Sequence, residues 1–352
     1  MPPLNQDIEF SVTGGLGRVV LNRPQVLNVL THDMVVALDA RLRLWAKDNA
    51  IKGVLIRGNG PKAFCAGGDI RKLYDEGRAG RDYPFRFYRD EYRLNARIFH
   101  YPKPYIALVH GFVMGGGVGL SLHGRYRVAS EDTLFAMPET GIGLFPDVGG
   151  TFLLSRCPGQ AGMYLGLSGE RLKVADMLFA RLADTHVSRA QFDELEDKLA
   201  SRDLSPPGAV DDVLARFATA AGESALRGRR ETVDRCFAGN SVEDMIRALE
   251  REGSDWGRQT AASLRAKSPT SMKITCAAIR AAAKADFDGC IRMEWRMANR
   301  VARGHDFYEG TRAAVIDKDQ KPKWRPERLE AVTPADVKAY FEPLPDGDLP
   351  LD

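Results

Sequence analysis

Apolar residues in the first half of the chain come mostly in short runs punctuated by glycine, with amphipathic stretches between them. Residues 8–12 alternate weakly, Gly14-Gly15-Leu16-Gly17 turns the chain, and Arg18-Val19-Val20-Leu21 follows. This pattern predicts a hairpin that opens a sheet and is closed by Pro24. Thr31 is placed to cap a helix carrying Asp33 in its first turn. Met34, Leu38, Leu42 and Trp45 recur at helical spacing as the buried face of that helix. Val54-Leu55-Ile56, between Gly53 and Gly58, predicts a strand, and a glycine-bearing loop runs on to Asp69. A helix is predicted over 85–99, ended by Pro102 and Pro104. Tyr105-Ile106-Ala107-Leu108-Val109 is apolar throughout, as strands buried on both faces are. A helix with an all-glycine first turn is predicted over 115–123, and short strands over 126–129 and 134–136. Alternation of strands and helices predicts an α/β core.

From about Gly159 the rhythm becomes helical, most clearly over 241–251, 255–266, 271–285 and 287–303. Ser205-Pro206-Pro207-Gly208 is the strongest linker signal. The chain therefore divides into a catalytic core, 1–204, and a C-terminal helical region, 205–352. With 352 residues there is enough chain for a full core and two structural units.

Charge changes the picture mainly by exclusion. Fifty basic against 47 acidic residues leave a net charge of +3, which gives no support for nucleic-acid binding. A local patch can still hold a small anion. The five cysteines are Cys65, Cys157, Cys236, Cys276 and Cys290, an odd and scattered set that argues against a disulfide framework or a zinc site. Free thiols fit a cytoplasmic protein. No metal-binding histidine spacing is present. The first ten residues lack the apolar run of a signal peptide, and no stretch has the apolar length of a membrane span.

The chemistry concentrates in Phe135-Ala136-Met137-Pro138-Glu139-Thr140-Gly141-Ile142-Gly143-Leu144-Phe145-Pro146-Asp147-Val148-Gly149-Gly150. Two carboxylates, each after a proline, sit among apolar residues and glycines. Desolvation there raises a carboxyl pKa toward values useful in acid–base chemistry. Two glycine loops precede them, Ala66-Gly67-Gly68-Asp69 and Met114-Gly115-Gly116-Gly117. Backbone N–H groups in such loops can hold an oxyanion, although glycine also serves close helix–strand packing. Asp147 reads equally as a turn residue and Asp69 as a helix cap. Cys65 reads as a buried structural thiol, since Lys62 is the sole basic group near it. His110 and His123 read as core histidines. Glu91, within Arg89-Asp90-Glu91-Tyr92, is a further carboxylate on a helix.

Together these residues form a known pattern. Leu21-Asn22-Arg23-Pro24 with Leu27-Asn28, Lys62-Ala63-Phe64-Cys65-Ala66-Gly67-Gly68-Asp69, and His110-Gly111 with Gly115-Gly116-Gly117 resemble the crotonase (enoyl-CoA hydratase/isomerase) superfamily. The stretches around Glu139 and Asp147 resemble its 3-hydroxyisobutyryl-CoA hydrolase branch. So do Ser268-Pro269-Thr270-Ser271-Met272-Lys273-Ile274-Thr275, Asp306-Phe307-Tyr308-Glu309-Gly310, and Ile316-Asp317-Lys318-Asp319 with Pro322-Lys323-Trp324.

The resemblance implies a spiral of β-β-α units followed by a helical region. It implies an oxyanion hole from the Gly68 and Gly116 amides, and a coenzyme A channel lined around Arg23, Asn28, Lys62 and Ala66. It implies no cofactor, coenzyme A being part of the substrate, and an acyl-CoA as the partner. Members of this fold often form homo-oligomers through helical segments, a face that the long C-terminal region here can instead cover. The hydratases carry a glutamate two residues after the triple glycine, where this chain has Gly119. The implied activity is therefore thioester hydrolysis of a short 3-hydroxyacyl-CoA. Glu139 would act as nucleophile or general base, Asp147 would read the 3-hydroxyl or assist proton transfer, and Glu91 would lend a supporting contact. A hydratase or double-bond isomerase of the same fold, and a non-catalytic acyl-CoA binder, are the rival readings.

Overall fold

The computed structural model describes residues 6–351. The expectation for the N-terminal ten residues falls partly on residues 1–5, which lie outside the described residues.

The chain opens as a hairpin, β1 (Ile8–Thr13) and β2 (Leu16–Leu21), paired antiparallel with Thr13 opposite Leu16 across a two-residue turn. Gly14 takes φ +58° there, a conformation that costs glycine little. Helix His32–Lys47 follows. The Thr31 hydroxyl accepts from the Met34 N–H as its cap, and Met34, Val35, Leu38, Leu42 and Trp45 are buried. From here the chain winds through two sheets in alternation. Strands β3 (Gly53–Gly58), β5 (Tyr105–Val109), β7 (Tyr126–Ala129) and β9 (Thr185–His186) add in parallel beyond β2, giving a six-stranded sheet. Strands β4 (Ala63–Cys65), β6 (Phe112–Met114) and β8 (Leu134–Ala136) form a second, three-stranded parallel sheet. Each turn of the spiral lays one strand in each sheet and then adds helix, as the β-β-α expectation requires.

The continuous apolar run of β5 is explained by this layering, because both faces of the large sheet are covered. On one face Val19, Ile56, Ala107 and Val109 join a core that also holds Phe145, Met272, Phe287 and Met297. On the other, Leu55, Ile106 and Leu108 pack with Phe192, Leu195, Val210 and Phe217. Val210 and Phe217 lie on helix Ala209–Phe217, immediately after the Ser205–Gly208 linker signal. Residues from beyond that linker therefore cover the same sheet as residues before it. The four long helices expected near the C-terminus are present as Val242–Glu252, Asp255–Arg265, Pro269–Ala282 and Phe287–Val301.

The structure differs from the sequence reading at five elements. The loop expected from Gly58 to Asp69 contains β4, and β6 and β9 were not expected at all. The helix expected over 85–99 starts earlier, at Tyr83–Phe99, with Pro84 in its first turn where its missing N–H costs nothing. The glycine helix is shorter, Gly116–Ser121. Among the described residues no helix is long and apolar enough to cross a membrane, and no cluster of three His, Cys, Asp or Glu could hold a metal ion.

Gly111 links the two sheets between β5 and β6, at φ +52°, and a Cβ there would lie 2.0 Å from the Lys62 carbonyl oxygen. Gly111→Ala should therefore lower the unfolding free energy by about 2 kcal/mol or more, read as a lower urea midpoint. An unchanged midpoint would show that this crossing tolerates a side chain.

Candidate functional site

The three short strands of the second sheet all run the same way, and each delivers one candidate group just beyond its end. Gly68 follows β4, Gly116 follows β6 and Glu139 follows β8. These groups meet at one cavity of about 280 Å³. Its walls include Ala66, Gly67, Gly68, Gly115 and Gly116 on one side and Glu139, Leu144 and Asp147 on the other. Ile70, Leu73, Phe87, Tyr88 and Glu91 come from the helices Ile70–Arg78 and Tyr83–Phe99, and Lys267 from the C-terminal half.

The glycines are required by backbone conformation at Gly67 and Gly115 and by crowding at Gly116. Gly67 holds φ +114°, and Gly115 holds φ +46° with the Glu139 Oε1 atom 3.3 Å from where a Cβ would stand. A Cβ on Gly116 would sit 2.6 Å from Glu91 Oε1 and 3.3 Å from the Gly68 nitrogen. The two amides are therefore near neighbours. The Gly68 carbonyl accepts from the Ile70 N–H, while neither the Gly68 nor the Gly116 N–H donates to a protein acceptor among the described residues. Two adjacent, unspent donors in a walled cavity are what an oxyanion hole needs.

Three carboxyl groups face these donors, and all three are buried. Glu139 sits in a short 3-10 turn (Glu139–Ile142), and its Oε2 has no hydrogen-bond partner. Burial, then the field of Asp147, pushes its carboxyl well above the ordinary range, while Lys267 pulls it back. Burial and Asp147 push Glu91 up strongly as well, and its Oε1 also lacks a partner. Asp147 is anchored: the Tyr92 hydroxyl donates to its Oδ2 at 2.7 Å. Burial raises it to about 6, with Tyr92 working against that rise. Like charges this close cannot all ionise, so protons are shared unequally among them.

Two residues from the C-terminal half complete the arrangement. Glu294, on helix Phe287–Val301, accepts from the Gly149 N–H at 2.6 Å, the Thr151 N–H at 3.0 Å and the Thr151 hydroxyl at 2.5 Å. It fixes the turn immediately after Asp147. Burial raises its carboxyl to about 8, and the Thr151 hydroxyl and Gly149 N–H oppose that. His123 closes the other side of the turn, its Nε2 2.6 Å from the Val148 carbonyl oxygen, and burial lowers its pKa to about 4, so the ring is neutral. Lys267 is half-buried and lines the cavity. Burial lowers its pKa and Glu139 opposes the shift.

Of the residues singled out from the sequence, Glu139, Asp147, Gly68, Gly116, Glu91 and Ala66 are brought together at the cavity. Arg23, Asn28 and Lys62 do not line it. Asn28 is fully buried as a brace, donating to the Asn59 and Ala63 carbonyls and accepting from the Arg23 N–H. It stitches the 23–28 turn to the 59–66 loop. Arg23 donates to the Val29 carbonyl and Lys62 is exposed. Cys65 is buried with its thiol pushed up to about 12, which keeps it protonated. His110 is buried against the Gly60 carbonyl.

The Gly119 position explains itself sterically. A Cβ there would lie 2.6 Å from Asn95 Nδ2 and 2.9 Å from Val148 Cβ, so no glutamate fits in this packing. A second glutamate nevertheless reaches the cavity, as Glu91 from the Tyr83–Phe99 helix. Lys267 and Glu294 were missed from the sequence. Both lie more than 100 residues beyond the Glu139–Asp147 stretch; Lys267 reads as a charge in the short connection ahead of Pro269, and Glu294 as a surface charge on a helix.

Burying Asp147 should cost stability at neutral pH. Its folded pKa of about 6 stands above the ordinary 3.8, so the penalty is absent below about pH 4 and grows as pH rises toward 6. Asp147→Asn should match the wild type in denaturant unfolding at pH 3.5 and exceed it by up to about 3 kcal/mol at pH 7.5. Equal stability at both pH values would show that the carboxylate is not held in a desolvated state.

Comparisons with known proteins agree with this geometry. The sequence pattern of the enoyl-CoA hydratase/isomerase family matches residues 16–341. The chain is 43% identical to a Danio rerio protein named 3-hydroxyisobutyryl-CoA hydrolase, mitochondrial, over 98% of this chain and 92% of that one. Its Homo sapiens counterpart of the same name is 39% identical, over 98% and 90%. A carnitinyl-CoA dehydratase structure from Mycobacterium thermoresistibile superposes with a TM-score of 0.92 at 40% identity, covering 97% of this chain and 98% of that one. An enoyl-CoA hydratase structure from Rhodobacter sphaeroides also gives 0.92, at 39% identity over 98% and 100%. With its spiral of paired strands, glycine-lined cavity and full-length matches, the chain belongs to the enoyl-CoA hydratase/isomerase family.

Proposed function

We propose that this chain hydrolyses the thioester of a short 3-hydroxyacyl-CoA to coenzyme A and the free acid, with 3-hydroxyisobutyryl-CoA, from valine breakdown, as its substrate. The observation that carries this reading is Glu139 with an oxygen that has no partner among the described residues, walled into the same cavity as two amide N–H groups that donate to no acceptor among them. The curated relatives' names supply the substrate.

In this reading the thioester oxygen lies against the Gly68 and Gly116 amides, which stabilise the negative charge it gains when the carbonyl carbon is attacked. The attack comes either from Glu139, giving a mixed anhydride that water then cleaves, or from a water whose proton Glu139 removes. Either route needs Glu139 ionised. Lys267 favours that form, and Asp147 and burial oppose it. The departing thiolate takes up a proton as the acid is formed. Asp147, held by Tyr92, accepts from the substrate 3-hydroxyl, and Glu91 supports that contact. Coenzyme A is substrate, not cofactor, and its channel runs past the Arg23–Asn28 turn and the Lys62–Ala66 loop. We assign a cytoplasmic location on the five unpaired cysteines; the relatives are named mitochondrial, and cell fractionation separates the two.

A hydratase reading has its own support, in the two glutamates of the cavity and the names of the superposing structures. Thiol release from 3-hydroxyisobutyryl-CoA, run beside isobutyryl-CoA and crotonyl-CoA, decides between them. Release from the hydroxylated thioester is expected; consumption of the crotonyl double bond without thiol release would favour the hydratase. Glu139→Gln should lower kcat by about a thousandfold while substrate still binds, measured by turnover and calorimetry. Unimpaired turnover would remove Glu139 from the mechanism. In the wild type, kcat/KM should fall on the acid side at a pH above the ordinary carboxylate range, as Glu139 takes up its proton.

A further inference from the structure

Tyr88 and Tyr92 stand one turn apart on the helix Tyr83–Phe99, and Glu91 lies on the same face. The Tyr92 hydroxyl is spent on Asp147. The Tyr88 hydroxyl is buried and has no hydrogen-bond partner among the described residues. Tyr88 is 3% exposed and lines the cavity. It feels the carboxyls of Asp147, Glu91 and Glu139, while burial is the main force holding its proton on. Its ring packs between Phe87 and Tyr92, at centroid distances of 5.9 and 5.8 Å. A phenylalanine would make the same ring contacts without a buried hydroxyl to satisfy, so packing does not account for the oxygen.

We propose that Tyr88 is a specificity-determining residue whose hydroxyl donates to the 3-hydroxyl oxygen of the bound acyl chain. The assignment rests on the hydrolase reading and deepens it. A hydroxyl is both donor and acceptor. Asp147, as a carboxylate, takes the substrate's O–H but leaves its lone pairs unread. Tyr88 is a neutral donor at the same cavity, and it completes the pair. An acyl chain without the hydroxyl leaves Tyr88 unpaired and Asp147 with Tyr92 alone in a desolvated site, the situation in which discrimination by a buried polar group is greatest. A 3-oxo chain would satisfy Tyr88 alone and set its oxygen against the Asp147 carboxylate.

The test compares wild type and Tyr88→Phe on 3-hydroxyisobutyryl-CoA and isobutyryl-CoA. The latter is read by its turnover or, where that is slow, by its inhibition constant. The substitution should cut kcat/KM for the hydroxylated thioester about tenfold with no loss, or a gain, for isobutyryl-CoA, whose bound form no longer strands a buried hydroxyl; an unaltered thermal midpoint certifies the fold. Equal losses on both compounds would mean a packing or oxyanion role and would overturn the assignment. So would a hydroxyl preference that survives the substitution. A wild type with no preference for the hydroxylated thioester would overturn the hydrolase reading together with the assignment.

Discussion

Three carboxyl groups buried in one cavity are a liability that the rest of the structure is arranged to bear. Glu91, Glu139 and Asp147 lose solvation and repel one another, so left free they would protonate or drive the site open. They are instead held by rigid elements on every side. Tyr92 pins Asp147 through a hydroxyl, and Glu294 grips the turn behind it with three hydrogen bonds. Lys267 sets a positive charge on the cavity wall. The repulsion is thereby turned into an unequal distribution of protons, which is the condition acid–base chemistry needs.

The spiral explains why so few residues suffice to build the opposite wall. Each turn ends a three-residue strand of the small sheet parallel to the last, in continuous register from β6 to β8 and with one shift between Ala63 and Cys65 where β4 meets β6, so the groups following the three strands fall side by side. Glycine is then dictated at 67 by a left-handed backbone, at 116 by the nearby Glu91 carboxylate, and at 115 by both conformation and the Glu139 carboxylate. The loops carry the chemistry, and the sheet supplies their spacing.

Much of this was legible in the sequence, and the failures share a cause. Helix His32–Lys47 carries its cap and its buried face in the local pattern, and the motifs around Gly68, Gly116, Glu139 and Asp147 lie within one contiguous stretch. Strands β4 and β6 escaped because each is three residues set near glycines that read as loop or turn, whereas the equally short β8 has no glycine at either end; their partners, not their composition, make them strands. Glu294 reads as one more charge on an amphipathic helix, and only the approach of Thr151, far back in the chain, gives it a task. Tyr88 reads as a core aromatic, since its ring is one; what sets it apart is the missing partner for its oxygen, which no local pattern encodes. Asn28 shows the reverse case, a motif residue whose buried amide ties two loops together.

The brace from Glu294 also orders events during synthesis. Its partners at Gly149 and Thr151 leave the ribosome long before it does, so the turn bearing Asp147 has only its earlier contacts, from Tyr92 and His123, until most of the remaining chain is made. The spiral can wind in step with translation, but the acidic cavity it encloses is completed from the far end. A nascent chain thus carries the three carboxyls before it carries the Lys267 charge and the Glu294 brace that offset them.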